Sequence, residues 1–172
     1  MAARPIFTIG HSTRTIDALV QILVANNVGV VADVRSFPRS YRNLQFNIDL
    51  IVIELAKRRI RYVWLPKLGG RRKGLGKESK NTCWRNTSFR NYANYMETRL
   101  FLEGAEELIG LASNETVAIM CAEAVYWRCH RSMISDFLKS RGIQVTHILG
   151  EKQTREHDYN HCAKITNGNL KR

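Results

Sequence analysis

Five short apolar runs, four of them followed by helical spacing, constrain this chain more than any other feature. Ile6 to Ile9 runs into Gly10-His11-Ser12, and Val28 to Val34 carries Asp33 and is followed by Arg35. Ile60 to Leu65, Val117 to Met120 and Ile143 to Leu149 are the other three. Between them Ile16, Leu19, Val20, Leu23 and Val24 recur at i, i+3, i+4 behind Thr15, a residue suited to the N-cap. Asn47 is placed to cap a second helix bearing Ile48, Ile51, Val52 and Leu55, and Ser88 starts a third with Tyr92, Tyr95, Met96 and Phe101, which Gly104 or Gly110 bends or ends. The fourth runs from Trp127 to Arg141 and stops at Gly142.

Strands that are apolar almost throughout belong to a parallel sheet covered on both faces. The pattern therefore predicts an α/β fold: one three-layer domain over residues 1–150 with a mainly parallel five-stranded sheet, in the order 3-2-1-4-5. Residues 151–172 form a polar C-terminal extension, in which Ala163 to Thr166 and Leu170 flank Asn167-Gly168 as a small type I′ hairpin. In that order strands one and four are neighbours. Together with the end of strand two, their carboxyl ends bring His11, Ser12, Asp33, Arg35, Cys121 and Glu123 to one crevice.

The N-terminus lacks the apolar core of a secretory signal, and Gln21, Asn26, Asn27 and Asp33 interrupt the longest apolar tracts. A cytoplasmic protein with no membrane partner is expected. The four cysteines, at 83, 121, 129 and 162, show no C-x-x-C spacing, so reduced thiols are the expectation, with no disulfide framework.

A formal charge of +12 points to polyanionic partners, nucleic acid or another phosphate-rich ligand, against the plainer alternative of a solubilising face. Between Lys57 and Lys80 ten lysines and arginines face one acid, Glu78. That stretch includes Arg71, Arg72 and Lys73 in a long glycine-bearing segment from Pro66 to Thr87, a candidate lid or clamp on phosphates. Aromatic residues interleave with the bases; most suit a core, while Tyr126 and Trp127 are candidates for stacking on an unpaired base.

The chemistry concentrates in Cys121 to Arg131, read as CAEAVYWRCHR. Cys129 is expected in the first turn of the fourth helix, where free N–H groups, Arg128 and Arg131 favour a thiolate or a bound anion; a small buried thiol is the simpler reading. Cys121 ends a strand and carries the same two readings. Glu123 is the candidate general acid or base, unless Arg35, Arg128 or Arg131 simply neutralises it. His11 is a candidate proton carrier and Ser12 a phosphate contact or local cap. Asp33 and Arg35, charged within a buried strand, belong to one network. His130 joins Cys121 and Cys129, with His11 as an optional fourth donor, in a zinc donor set at an unfamiliar spacing, so no cofactor is expected and zinc is the alternative.

These residues also carry a family likeness. Thr8-Ile9-Gly10-His11-Ser12, Asp33 to Ser40 with Pro38 and Arg39, Leu68-Gly69-Gly70, Cys121-Ala122-Glu123 and Cys129-His130-Arg131 resemble the uncharacterised family named domain of unknown function 488. The resemblance covers nearly the whole chain and implies a site without assigning a reaction. The residues suggest an enzyme directed at nucleic acid, by base excision or another repair step, with the crevice at the ends of strands one, two and four. Catalysis would fall to Glu123, Cys121, Cys129, His11 and Asp33; phosphate or substrate binding to Ser12, Arg35, Arg39, Arg71, Arg72, Lys73, Tyr126, Trp127, Arg128, His130 and Arg131. A non-catalytic nucleic-acid-binding module and a thiol-dependent small-molecule enzyme are the alternatives.

Overall fold

Alternating side chains along the strands divide the interior into two cores. A computed structural model describes residues 4–75, 78–166 and 169–171, the side chain of Lys171 apart. Strands β1 (Ile6–Gly10), β2 (Val30–Asp33), β3 (Arg61–Trp64), β4 (Val117–Cys121) and β5 (Val145–Gly150) are parallel, and β6 (Gln153–Glu156) adds to β5 antiparallel. Val31, Ala118 and Met120 pack with buried residues of helices α1 (Ile16–Ala25) and α2 (Ile48–Ala56). Their neighbours Val30, Val117 and Ile119 pack with residues of α3 (Thr87–Tyr95), α4 (Arg99–Asn114) and α5 (Arg131–Ser140). A period of two in a strand puts successive residues on opposite faces, which is what a three-layer α/β sandwich requires.

The sheet has six strands in the order β3-β2-β4-β1-β5-β6, not five in the order 3-2-1-4-5. β1 and β4 are neighbours as expected, but β4 separates β2 from β1, pairing Val30 with Val117 and Asp33 with Met120. An apolar run records that a strand is buried and leaves open which strand lies beside it; the helical connections here are long enough to cross a neighbour. β6 escaped the apolar pattern because Gln153 to Glu156 are exposed throughout. The chain leaves β1 toward the layer of α1 and leaves β4 toward the layer of α5. The two carboxyl ends therefore lie side by side where consecutive connections depart to opposite faces.

Two helices occupy the stretch read as one. Thr98 accepts a hydrogen bond from the Phe101 N–H and starts α4, while Gly104 and Gly110 lie within that helix. Thr15 caps α1 as expected, accepting from Ala18 N–H at 3.1 Å. Asn47 precedes α2 but gives no side-chain cap; its Oδ1 accepts from Ser40 N–H at 2.6 Å and ties down the preceding loop.

Cys83 and Cys162, 79 residues apart, form a disulfide, which corrects the expectation of four reduced thiols. Sequence spacing could not show this pair, because the fold brings the tail back to the residues before α3. Strands β7 (Lys164–Thr166) and β8 (Asn169–Lys171) make the small antiparallel hairpin; its Asn167-Gly168 turn lies outside the described residues, as does Lys77 of the basic segment. Among the described residues no helix is long and apolar enough to cross a membrane.

Candidate functional site

A cleft of about 710 Å³ opens over the carboxyl ends of β1, β2 and β4. His11, Arg35, Arg39, Arg71, Arg72, Cys121, Glu123, Arg128, Cys129 and His130 all line it. Segments far apart in the chain thus converge as the strand ends predicted. Asn43 and Ser88 line it too, and nothing in their sequence surroundings marked them.

The floor is a thiol held by nitrogen donors. A short 3-10 turn, Tyr126–Arg128, delays the start of α5 to Arg131, so Cys129 stands just before the helix in extended backbone, outside the first turn where the periodicity put it. Its sulfur accepts from the Arg131 backbone N–H at 3.5 Å and from Arg131 Nε at 3.4 Å, and faces His130 Nδ1 at 3.5 Å. Burial opposes ionisation of Cys129, but the hydrogen bond from the Cys121 thiol, the His130 ring and the Arg131 guanidinium outweigh it and hold its pKa well below the ordinary thiol value. Cys121 moves the other way. The hydrogen bond it gives to Cys129, together with burial and the neighbouring sulfur's charge, raises its pKa well above that value.

Arg131, with a relative exposure of 1%, turns inward from the first residue of α5 and also donates to the Glu123 carbonyl at 2.6 Å. It does not line the cleft; it fixes the loop that does. The same loop explains Gly10, where an added Cβ would sit 1.9 Å from the Glu123 carbonyl oxygen. His130 is positioned from two sides. Its Nε2 meets the Val34 carbonyl at 3.0 Å, and Gly70 lies so close that a Cβ there would come 2.5 Å from Nδ1.

Asp33 is wholly buried behind the cleft, where it accepts from the Arg35 guanidinium and from the Tyr62 hydroxyl. This is the network expected of charges in a buried strand, with Tyr62 as a member the sequence did not announce. Burial and the facing Asp33 carboxylate push the Tyr62 phenol up, so it remains a donor. His11 reaches the cleft wall against the Phe46 ring, 4.2 Å away between centroids. Burial lowers its pKa to about 4, and with Nδ1 on the Ser12 carbonyl its Nε2 faces Arg35 Nη1. It is therefore a neutral acceptor near pH 7.

Other predicted positions fall elsewhere. Ser12, at φ 52°, and Lys73, Tyr126 and Trp127 do not line the cleft. Tyr126 stacks on His147 with ring centroids 3.5 Å apart, next to a buried hydrogen-bonded series of Thr8, His147, His157 and Asp136. The basic segment is also dispersed. Lys57, Arg61 and Lys67 pair with Glu54, Glu115 and Glu103, and Arg72 lies over the Tyr95 ring while bonding three backbone carbonyls. Cys121, Cys129 and His130 bring three potential donor atoms within 4.8 Å of one another.

Fold and site together define a class: an α/β domain with a two-cysteine, arginine-rimmed cleft at its switch point. The chain matches the family described as domain of unknown function DUF488 over residues 15–138, and it belongs to that family. No curated protein and no solved structure matches it.

Proposed function

We propose that the protein is a thiol-dependent enzyme in which Cys129 is the nucleophile and the cleft receives an anionic substrate. One observation carries this reading: a sulfur lining an open cleft accepts two N–H donors from Arg131 and faces an imidazole nitrogen. Such surroundings favour thiolate, the reactive form of cysteine. Arg39, Arg71, Arg72 and Arg128 on the walls, against the single acid Glu123, favour a substrate bearing phosphate or carboxylate groups. Glu123, a residue of the same lining, is the group we assign to proton transfer with the substrate. The proposed setting is the cytoplasm, where Cys121 and Cys129 stay reduced and the Cys83–Cys162 disulfide is the exception.

Alkylation by iodoacetamide at neutral pH tests the nucleophile. Cys129 is expected to label about tenfold faster than Cys121, and inorganic phosphate is expected to slow it. Equal labelling of the two removes the reading. Zinc held by Cys121, Cys129 and His130 is the competing use of the same donors, and elemental analysis of the purified protein separates the two.

Nucleic-acid-directed chemistry, including base excision or another repair step, is the second reading. Phe37 favours it: this cleft-lining ring is 65% exposed and the Arg71 guanidinium lies 5.5 Å from its centroid, an arrangement suited to a stacked base beside a phosphate. Binding of a single-stranded oligonucleotide should then fall steeply with salt, and Glu123→Gln should keep binding while losing turnover. Binding with no chemical change in the oligonucleotide would indicate the non-catalytic module instead.

A further inference from the structure

A nucleophilic Cys129 engages one sulfur and leaves its neighbour without a task. Cys121 ends β4 and Cys129 lies eight residues later, yet their sulfurs are within 4.8 Å and both line the cleft. Cys129 occupies extended backbone between a 3-10 turn and α5, outside any sheet ladder, so its side chain can turn toward Cys121 without unzipping a strand. The environments are unequal in the way a relay of two sulfurs requires. One accepts both Arg131 N–H donors, while the other is only half-buried at the strand end.

Resting on Cys129 as the nucleophile, we propose that Cys121 and Cys129 form a working dithiol that reduces small disulfides bearing carboxylates and closes to a Cys121–Cys129 disulfide. In the first step the Cys129 thiolate attacks one sulfur of a substrate R–S–S–R. The substrate bond breaks, one R–S⁻ departs, and Cys129–S–S–R forms. In the second step Cys121 gives its proton to the departed thiolate, and its sulfur attacks the Cys129 sulfur and expels the second R–S⁻. The sum is a dithiol monoanion plus R–S–S–R going to a protein disulfide, one R–SH and one R–S⁻. Two electrons pass from the protein to the substrate, and an external dithiol reductant returns them for the next cycle.

The class of R follows from the walls. Among the described residues Arg71 and Arg128 have no carboxylate partner, whereas Arg35 and Arg39 are paired with Asp33 and Asp49. Two uncompensated guanidiniums beside a sulfur nucleophile suit a disulfide flanked by carboxylates and disfavour a cationic one.

Oxidised glutathione is the probe, added to the full chain and followed by acid quenching and peptide mapping. The expected result is two glutathiones released per protein and a peptide joining Cys121 to Cys129. Cys121→Ser should stop after one release, with glutathione retained on Cys129. Cystamine, a cationic disulfide, should react about fivefold to tenfold more slowly, the effect of one missing ion pair in water-like surroundings. A wild-type protein that keeps glutathione on Cys129 without the internal bond overturns the proposal, and equal or faster reaction with cystamine overturns the substrate class. Iodoacetamide labelling of the same protein before glutathione is added separates the failures. Slow labelling of Cys129 removes the nucleophile itself, whereas fast labelling without the Cys121–Cys129 bond removes only the dithiol. Should Cys121→Ser fail to fold, the wild-type peptide map decides alone.

Discussion

The protein contains two pairs of cysteines that the fold treats in opposite ways. Cys83 and Cys162 meet from positions 79 residues apart and are bonded, joining the chain before α3 to the C-terminal tail. Cys121 and Cys129, eight residues apart, remain free on the floor of an open cleft, the first half-buried and the second buried, next to Arg131 and His130. One pair closes a long loop and the other is surrounded by groups that stabilise a charged sulfur. The role of a thiol here follows from its electrostatic neighbours and its access, because separation along the chain predicts neither.

The strongest way to break this contrast is to exchange the pairs in a labelling experiment. Cys129→Ser should remove fast alkylation altogether, whereas Cys83→Ala with Cys162→Ala should leave its rate unchanged; Arg131→Leu should slow it about tenfold by removing the guanidinium beside the sulfur. Next in size is stability. Opening Cys83–Cys162 should lower the unfolding free energy by about 2–5 kcal/mol, read from denaturant titration, with Cys129 labelling intact. If reduction abolishes that labelling, the two pairs are not independent.

Acid sharpens the contrast further, because each region holds a buried histidine. Burial lowers His11 by the cleft to about 4, and burial followed by the charges of His157 and Arg131 lowers His147 beside the tail to about 3. The folded pKa values lie below the unfolded value near 6.5, so the unfolded chain takes up protons first as pH falls. Stability is complete above pH 6.5 and should decline below it, by up to about 1.4 kcal/mol per pH unit for each histidine, until the folded values are reached. Denaturation midpoints measured between pH 7 and 4 check this, and His11→Gln or His147→Gln should each flatten the slope. The smallest effect concerns packing. Gly70→Ala should cost about 1–3 kcal/mol, since its new methyl must displace the His130 ring, and should slow Cys129 labelling through that displacement.

The α/β class and the convergence at the strand ends were legible because buried parallel strands write continuous apolar runs and end in polar residues. Strand order was not, since Val30 and Val117 look equally buried whichever neighbours they take. The exposed β6 gave no hydrophobic signal at all. Within the site, Cys121, Glu123, Cys129 and His130 could be named from one contiguous stretch. Arg131, read there as a substrate contact, could not be distinguished from a buried support, because only packing reveals that its guanidinium turns inward. Tyr62 and the Thr8, His147, His157 and Asp136 series were missed for the same reason: a single polar residue inside an apolar run records a burial problem without naming its partner.

That series has a consequence for how the far end of the molecule governs the near one. Helix α5 begins at Arg131, which seats the Cys129 sulfur, and one and a half turns later presents Asp136, which accepts from His157 and from both the backbone and side chain of Asn160. A protease that clips the chain ahead of His157, once the Cys83–Cys162 bond is reduced so that the tail is released, would strip the anchor from the middle of that helix. Its first turn would then be free to drift, so trimming of a terminus that never touches the cleft should dull the thiol within it.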